Sequence, residues 1–397
     1  MGYVPQFQHA TPAFRTFCGE DALAALPREL DRLGCNRAVI VCAPWVHDYP
    51  HLMEALEAAL GPRWAGCFDG VQEHSPVPAV EEARRSLEHA RADAVIAVGG
   101  GSAIVTARAA TILLAEKRDV RELCTRRQAD GRLISPRLLA SKIPNWVVPT
   151  TPITAYAKAG SAVRDPDTGE RLALFDPKTR AQGIFLDPAM ALTAPAGLVS
   201  AAALNAFAMA AESLQASPDD PLAEALLVHA LRILVQWLPR LAAAPGDAEP
   251  RLRLMLAALL GGQGSDYVGG GLAQALSHAA GPRSSVANGV VEALLLPHTM
   301  RFNAPVTGAG LALIADALDN RSSADSTPAE ITAEERAITA VERFLATLSV
   351  PARLRDAGVT QAALAEVADH AMDDWALTRV PRRVERPELD ELLHAAW

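Results

Sequence analysis

Asp93-Ala-Val-Ile-Ala-Val-Gly99-Gly100-Gly101-Ser102-Ala-Ile-Val-Thr-Ala-Arg108 reads as a buried strand, a glycine turn and the opening of a helix. The apolar run Val95 to Val98 suits a parallel strand covered on both faces, and apolar positions after Ser102 recur at helical spacing through Leu114. Glycines at such a junction let a ligand approach the backbone. The unpaired N–H groups of the helix's first turn, at the positive end of its dipole, form an anion site into which a pyrophosphate fits. The same residues also serve a plain strand-to-helix turn, because the stretch is neither G-x-G-x-x-G nor a P-loop with its lysine.

Working outward, the first half alternates strand-like and helix-like segments, the pattern of an α/β doubly wound parallel sheet. Arg37 to Cys42 and Ala65 to Phe68 read as strands, and Asp21 to Leu33, Pro50 to Leu60 and Val77 to Ala90 as helices. The basic, polar stretch from Glu116 to Pro144 reads as an exposed connection before the strand Asn145 to Pro149. Thr150 and Thr151 follow that strand. Ligands of open α/β sheets bind outside the carboxyl ends of the strands, so these threonines share a crevice with Gly99 to Ser102. Short strands are expected at Arg171 to Phe175 and Gly183 to Leu186. Beyond Asp187-Pro188 the chain becomes Ala- and Leu-rich with helical period, broken near Pro218, Pro245, Gly261 to Gly264, Gly281-Pro282 and Pro305. Arg321 to Pro328 has loop composition, and Thr332-Ala-Glu-Glu335 reads as a capping box. Two domains result: residues 1–189, an α/β nucleotide-binding domain, and residues 190–397, an all-helical domain completing the active-site cleft.

The 397 residues are half hydrophobic and 21% charged, a globular composition. No apolar run approaches the roughly 18 to 20 residues of a membrane span, and the first residues lack a secretory signal pattern. A soluble, cytoplasmic protein without a membrane partner is expected. Its five cysteines, Cys18, Cys35, Cys42, Cys67 and Cys124, have no C-x-x-C spacing and read as reduced thiols. The formal charge of −9 argues against nucleic acid as a partner and leaves a small molecule.

Several short segments together resemble the iron-type alcohol dehydrogenases of the dehydroquinate-synthase-like superfamily, and among them the maleylacetate reductases. They are Phe14 to Gly19, Phe68 to Pro76, Gly99 to Ser102, Pro149 to Thr151, Phe175 to Pro177 with Asp187-Pro188, Asn205 to Met209, and Leu294 to His298 with Arg301 to Asn303. Their order and spacing span nearly the whole chain. Val105 stands where the family's alcohol dehydrogenases carry an aspartate, and Asn205-Ala206 is similar to the reductase pattern. The resemblance implies that Gly99, Gly100, Gly101 and Ser102 hold a dinucleotide pyrophosphate and that Thr150, Thr151 and Thr154 line the nucleotide crevice. Ala43 aligns with an aspartate that bonds the ribose in NAD-preferring members. Its lack of charge leaves NADPH as acceptable as NADH. The resemblance also implies a homodimer.

The family's metal ligands, an aspartate and three histidines, align with Asn205, Met209, Gln274 and Asn288. Asn205 and Met209 sit one helical turn apart, as do Gln274 and His278, so a converging geometry is retained. Three neutral amides and a thioether supply no anionic ligand, and a catalytic metal is not expected. The remaining chemistry falls to side chains. His278 is the best-placed proton donor. Arg171 aligns with a family lysine and suits a carboxylate, as does Arg283. Tyr156 either donates a proton or narrows the pocket. The expectation is a metal-independent NAD(P)H-dependent reductase of a small carboxylated oxo or enone substrate, with a non-redox lyase or cyclase on the same fold as the alternative.

Overall fold

The computed structural model describes residues 7–128, 132–216, 220–266, 268, 271–319 and 331–397. The expected loop Arg321 to Pro328 and the break at Pro218 lie outside them. The chain divides into two compact units. One comprises Pro12–Thr151 and Ala155–Ala194. The other comprises Pro195–Trp397, Pro152–Thr154 and residues 7–11.

The first unit is built on a six-stranded parallel sheet. Its strands are β1 (Arg15–Cys18), β2 (Ala38–Val41), β3 (Trp64–Phe68), β4 (Ala94–Gly99), β7 (Asn145–Pro149) and β10 (Ala181–Leu186), in the spatial order β1-β10-β7-β4-β2-β3. The central strands β2, β4 and β7 are buried along their whole length, which is why β2 and β4 are unbroken apolar runs and β7 is apolar after Asn145, rather than alternating. β1 is a strand that alternation did not reveal; it is held at the sheet edge by parallel pairing with β10 and by stacking of Phe17 on Phe185, ring centroids 5.0 Å apart. The helices are α1 (Leu26–Arg32), α2 (Pro50–Leu60), α3 (Val77–His89), α4 (Gly101–Glu116), the one-turn α5 (Val120–Leu123) and α6 (Pro188–Leu192). α6 belongs here because Met190 packs into the same core as Ile40, Ile96 and Phe185.

The expected strand Arg171 to Phe175 is present as β9, which pairs antiparallel with β8 (Gly160–Arg164) in a hairpin separate from the main sheet. The connection after α4 is exposed through the small hairpin β5 (Arg126–Arg127) and β6 (Leu133–Ile134). It then turns inward: the Lys142 ammonium is fully buried between Glu116 Oε1 at 2.6 Å and Asp176 Oδ2 at 3.0 Å. A cation tolerates that depth only because two carboxylates flank it.

The second unit is helical: α7 (Ala196–Ala216), α8 (Pro221–Ala243), α9 (Ala248–Gly264), α10 (Leu272–Ala280), α11 (Asn288–Asn303), α12 (Gly308–Leu318), α13 (Ala333–Thr347), α14 (Leu364–Met372) and α15 (Arg386–Ala396). The capping box at Thr332 and Glu335 opens α13 with both reciprocal hydrogen bonds. Contrary to expectation, α7 and α8 do have the length and mean hydropathy of a membrane span. They pack on one another and on α9, and α7 is largely buried, so its apolarity is that of a core helix.

α11 meets α7 at Gly289. A Cβ there would stand 2.0 Å from the carbonyl oxygen of Ala201 and 3.0 Å from the Asn205 side chain. Backbone cannot yield as a flexible side chain does, so Gly289→Ala is expected to destabilise the protein by about 1–3 kcal/mol, the usual range for overpacking. Urea denaturation checks this, and a midpoint equal to that of the parent protein contradicts the packing account.

Candidate active site

β4 ends at Gly99, whose φ of +135° few residues but glycine adopt. Gly100 then opens α4 with no side-chain cap and no acidic residue in the first turn, so the turn keeps its positive character. A Cβ on Gly100 would stand 3.1 Å from Thr151 Oγ1, and the Thr150 N–H donates to the Gly99 carbonyl at 3.1 Å. The expected grouping of the glycine turn with Thr150 and Thr151 is therefore present. The turn has a second support that spacing did not reveal. Ser75 Oγ donates to the Ser102 carbonyl at 3.1 Å and accepts from Thr106 Oγ1 at 3.0 Å. Ser75 and its neighbour His74 both have left-handed φ, 49° and 62°, strain that the anchored loop sustains. Arg108, the last residue of the opening stretch, is buried and structural: it donates to the carbonyls of Gly160 and Ala155 at 2.5 and 2.8 Å, binding α4 to the β8–β9 hairpin. The bare helix terminus, the glycines and the paired threonines fit a dinucleotide pyrophosphate.

The exits of β2 and β3 are joined by hydrogen bonds from Cys42 N–H to the Phe68 carbonyl (2.9 Å) and from Val71 N–H to the Cys42 carbonyl (3.2 Å). Half-buried Ala43 follows Cys42, and Trp45 lies against Gly99. A cavity of about 300 Å³ nearby is lined by Glu54, Glu57, Asp69 and His47 among others, with Asp69 2.7 Å from His47 Nε2. Its charged character is acidic. All five cysteines are free thiols, and burial keeps Cys35 protonated with its pKa pushed up to about 11.

In the helical unit Asn205, Gln274 and Asn288 lie along a series of hydrogen bonds that links α7, α11 and α10. Asn205 Nδ2, on α7, donates to Glu292 on α11. Asn288, also on α11, donates from Nδ2 to Ser277 Oγ on α10 at 3.4 Å, and Ser277 donates on to the Gln274 carbonyl at 2.9 Å. The α10 N–H groups of Ala273 and Gln274 donate at 2.5 and 3.0 Å to Glu212, back on α7. Met209 is buried on the same α7 stripe. Gly271 admits this cap, for a Cβ there would stand 2.6 Å from Glu212 Oε1. Thus carboxylates are present after all, on Glu212 and Glu292, yet both are engaged by N–H donors. Among the described residues no group of three or more His, Cys, Asp or Glu side chains gathers to hold a metal. A thioether and neutral amides do not fit a hard or borderline divalent ion. Gln274 Oε1, buried and without a hydrogen-bond partner, is an acceptor open to a ligand.

The other expected residues separate. His278, in the last turn of α10, shares Nδ1 with Asp374 Oδ2 at 2.8 Å, a partner 96 residues away that no local motif signals. Tyr156 is 0% exposed, so it packs and does not present a proton to substrate. The Arg283 guanidinium is held by Glu366 Oε1 at 2.5 Å and the Ala279 carbonyl at 2.7 Å, which makes it a clamp between α10 and α14 rather than a substrate cation. Arg171 is exposed at the start of β9, opposite Arg164. Thr154 groups with the helical unit, where its methyl faces Gly261, and not with the glycine turn.

Family comparison covers both units. The profile of the iron-containing alcohol dehydrogenases matches residues 12–188, and that of the C-terminal region of the same family matches residues 199–397. The chain is 29% identical to maleylacetate reductase 1 of Cupriavidus pinatubonensis over 73% of each chain. It is 30% identical to lactaldehyde reductase of Escherichia coli K12 over 96% of this chain and 97% of that one. The crystal structure of maleylacetate reductase from Rhizobium sp. strain MTP-10005 superposes with a TM-score of 0.79 at 27% identity, covering 99% of each chain.

Glu212 yields a pH signature. Desolvation raises its pKa from 4.5 to about 7, outweighing the three backbone N–H groups that lower it. The folded state therefore binds this proton more tightly than the unfolded state, and stability falls as pH rises from about 4.5 to about 7, levelling above. The stability of the parent protein relative to Glu212→Gln should shrink between pH values of about 5 and about 7.5 in urea titrations. A difference that is flat or grows with pH contradicts the assignment.

Proposed function

The chain belongs to the iron-containing alcohol dehydrogenase family and is an oxidoreductase, and from that premise we propose that it reduces a small carboxylated oxo or enone substrate of the maleylacetate type with NAD(P)H and no catalytic metal. The observation that carries the reading is the side-chain amides of Asn205, Gln274 and Asn288 at the positions where the family's ligands are expected, with a histidine on α10 oriented by a carboxylate. A nicotinamide cofactor supplies hydride when bound, with its pyrophosphate on Gly99 to Ser102, Thr150 and Thr151. The residues supply the rest. Asp374 fixes the His278 tautomer through Nδ1, so proton exchange with substrate runs through Nε2. Gln274 Oε1 offers a buried acceptor on the same helix as His278. A double bond conjugated to a carbonyl accepts hydride with hydrogen-bond assistance alone, which suits a site of this composition.

Between cofactors, the reading favours NADH. Glu54, Glu57 and Asp69 oppose a 2′-phosphate near the exit of β2, and His47 is already bonded to Asp69. The near full-length likeness to reductases speaks against the non-redox lyase or cyclase. We place the enzyme in the cytoplasm as a homodimer acting on a small molecule, with neither nucleic acid nor membrane as partner. The open edge of β1 is the backbone surface a second copy would pair with.

Mixing the protein with maleylacetate and NADH should consume nicotinamide absorbance, and the rate should survive EDTA. NADPH should bind about tenfold more weakly in fluorescence titrations, the size of one net unfavourable charge contact. His278→Ala should lower kcat by about a hundredfold, at the low end for a general acid. No turnover with either cofactor while both bind would reject the substrate class, and loss of activity in EDTA would reject metal independence.

A further inference from the structure

Asp374 uses its two oxygens for different partners. Oδ2 meets His278 Nδ1 at 2.8 Å, while Oδ1 accepts the Ala376 N–H at 2.8 Å and caps the short turn Trp375–Arg379. One carboxylate therefore sets both the imidazole and the turn that carries the next side chain. That side chain is Trp375, whose ring centroid lies 6.4 Å from that of His278 at an interplanar angle of 42°. Trp375 is 40% exposed, although Ala376 beside it is fully buried. Indoles carry the largest apolar surface of any side chain, and leaving one in water next to a proton-exchanging histidine forgoes burial that the neighbouring core of α10, α14 and α15 could supply. The rigid backbone cap holds it there.

We propose that Trp375 is a specificity-determining residue, a flat wall beside His278 against which a planar conjugated substrate stacks and a saturated one does not. The inference rests on the reading of His278 as the proton donor and narrows the substrate class within it. An sp² framework of alternating double bonds presents a π face to the indole in offset or tilted contact. A saturated chain of equal length and charge presents only staggered C–H bonds and loses more torsional freedom when flattened. His278 then lies at the edge of the stacked substrate, where the proton is delivered in the plane of its carbonyl.

The test uses two unreactive dicarboxylates of equal chain length and charge, cis,cis-muconate and adipate, titrated calorimetrically into the full-length protein saturated with NAD⁺. The parent protein should bind muconate roughly fivefold more tightly than adipate, within the span of measured aromatic-pair energies. Trp375→Phe should retain most of that preference, and Trp375→Ala should abolish it while a thermal melt shows the variant still folded at the titration temperature. Equal binding of the two acids by the parent protein, a preference that survives in Trp375→Ala, or no binding of either acid overturns the proposal. The outcome is independent of turnover, so an enzyme inactive on maleylacetate but selective for muconate rejects that substrate and keeps the wall.

Discussion

Buried polar groups must find partners, and in the helical unit this single requirement ties three helices together. Asn205 on α7, Glu292 and Asn288 on α11, and Ser277 and the first turn of α10 form a series that ends on Glu212, again on α7. An unsatisfied buried donor or acceptor costs on the order of 1–3 kcal/mol, so breaking the fully buried link between Glu212 and the first turn of α10 leaves a penalty at both ends. Close packing accompanies the same series. Gly271 exists to admit the Glu212 carboxylate, and Gly289 to let α11 lie on the α7 backbone at Ala201. α10 carries His278 at one end and its tertiary cap at the other, so the candidate proton donor is held from both directions.

The α/β unit solves a different problem, which is to keep a helix terminus bare. α4 begins without a side-chain cap, and the conformation needed for that comes from Gly99 rather than from an Asp or Ser at Gly100. The strain is distributed. Ser75 in a left-handed conformation reaches the Ser102 carbonyl, Thr150 reaches the Gly99 carbonyl, and Arg108 fastens the far side of α4 to a hairpin. An anion docking there meets preorganised N–H groups and requires no rearrangement of these supports.

Much of the fold was legible because it is local. The apolar runs of β2, β4 and β7 and the start of α4 follow from continuous hydrophobicity and a glycine break, and the capping box at Thr332 from four residues. β1 and β8 carry little strand signal in the sequence. β1 is an exposed edge strand with little periodicity, and β8 is made of small residues stabilised by its partner β9. Arg283 and Tyr156 illustrate the limit for the site. Their residue types suit catalysis, but Glu366, 83 positions away, takes the guanidinium, and burial withdraws the phenol.

The amino-acid sequence by itself determined the doubly wound sheet, the glycine turn with its threonines and the helical second half, because each is a matter of composition and short-range period; the resemblance to the family added the expectation that Asn205, Met209, Gln274 and Asn288 stand at metal-ligand positions. Only the tertiary structure decided what became of those positions. Glu212 and Glu292 are unremarkable glutamates on apolar helices until folding removes water from them and brings N–H donors to their oxygens. Asp374 and Trp375 likewise acquire meaning only when a turn near the C-terminus is laid against α10, 96 residues back, where a carboxylate can orient an imidazole. The interactions that set a proton's position act over a few ångströms in space, and separation along the chain carries no trace of them.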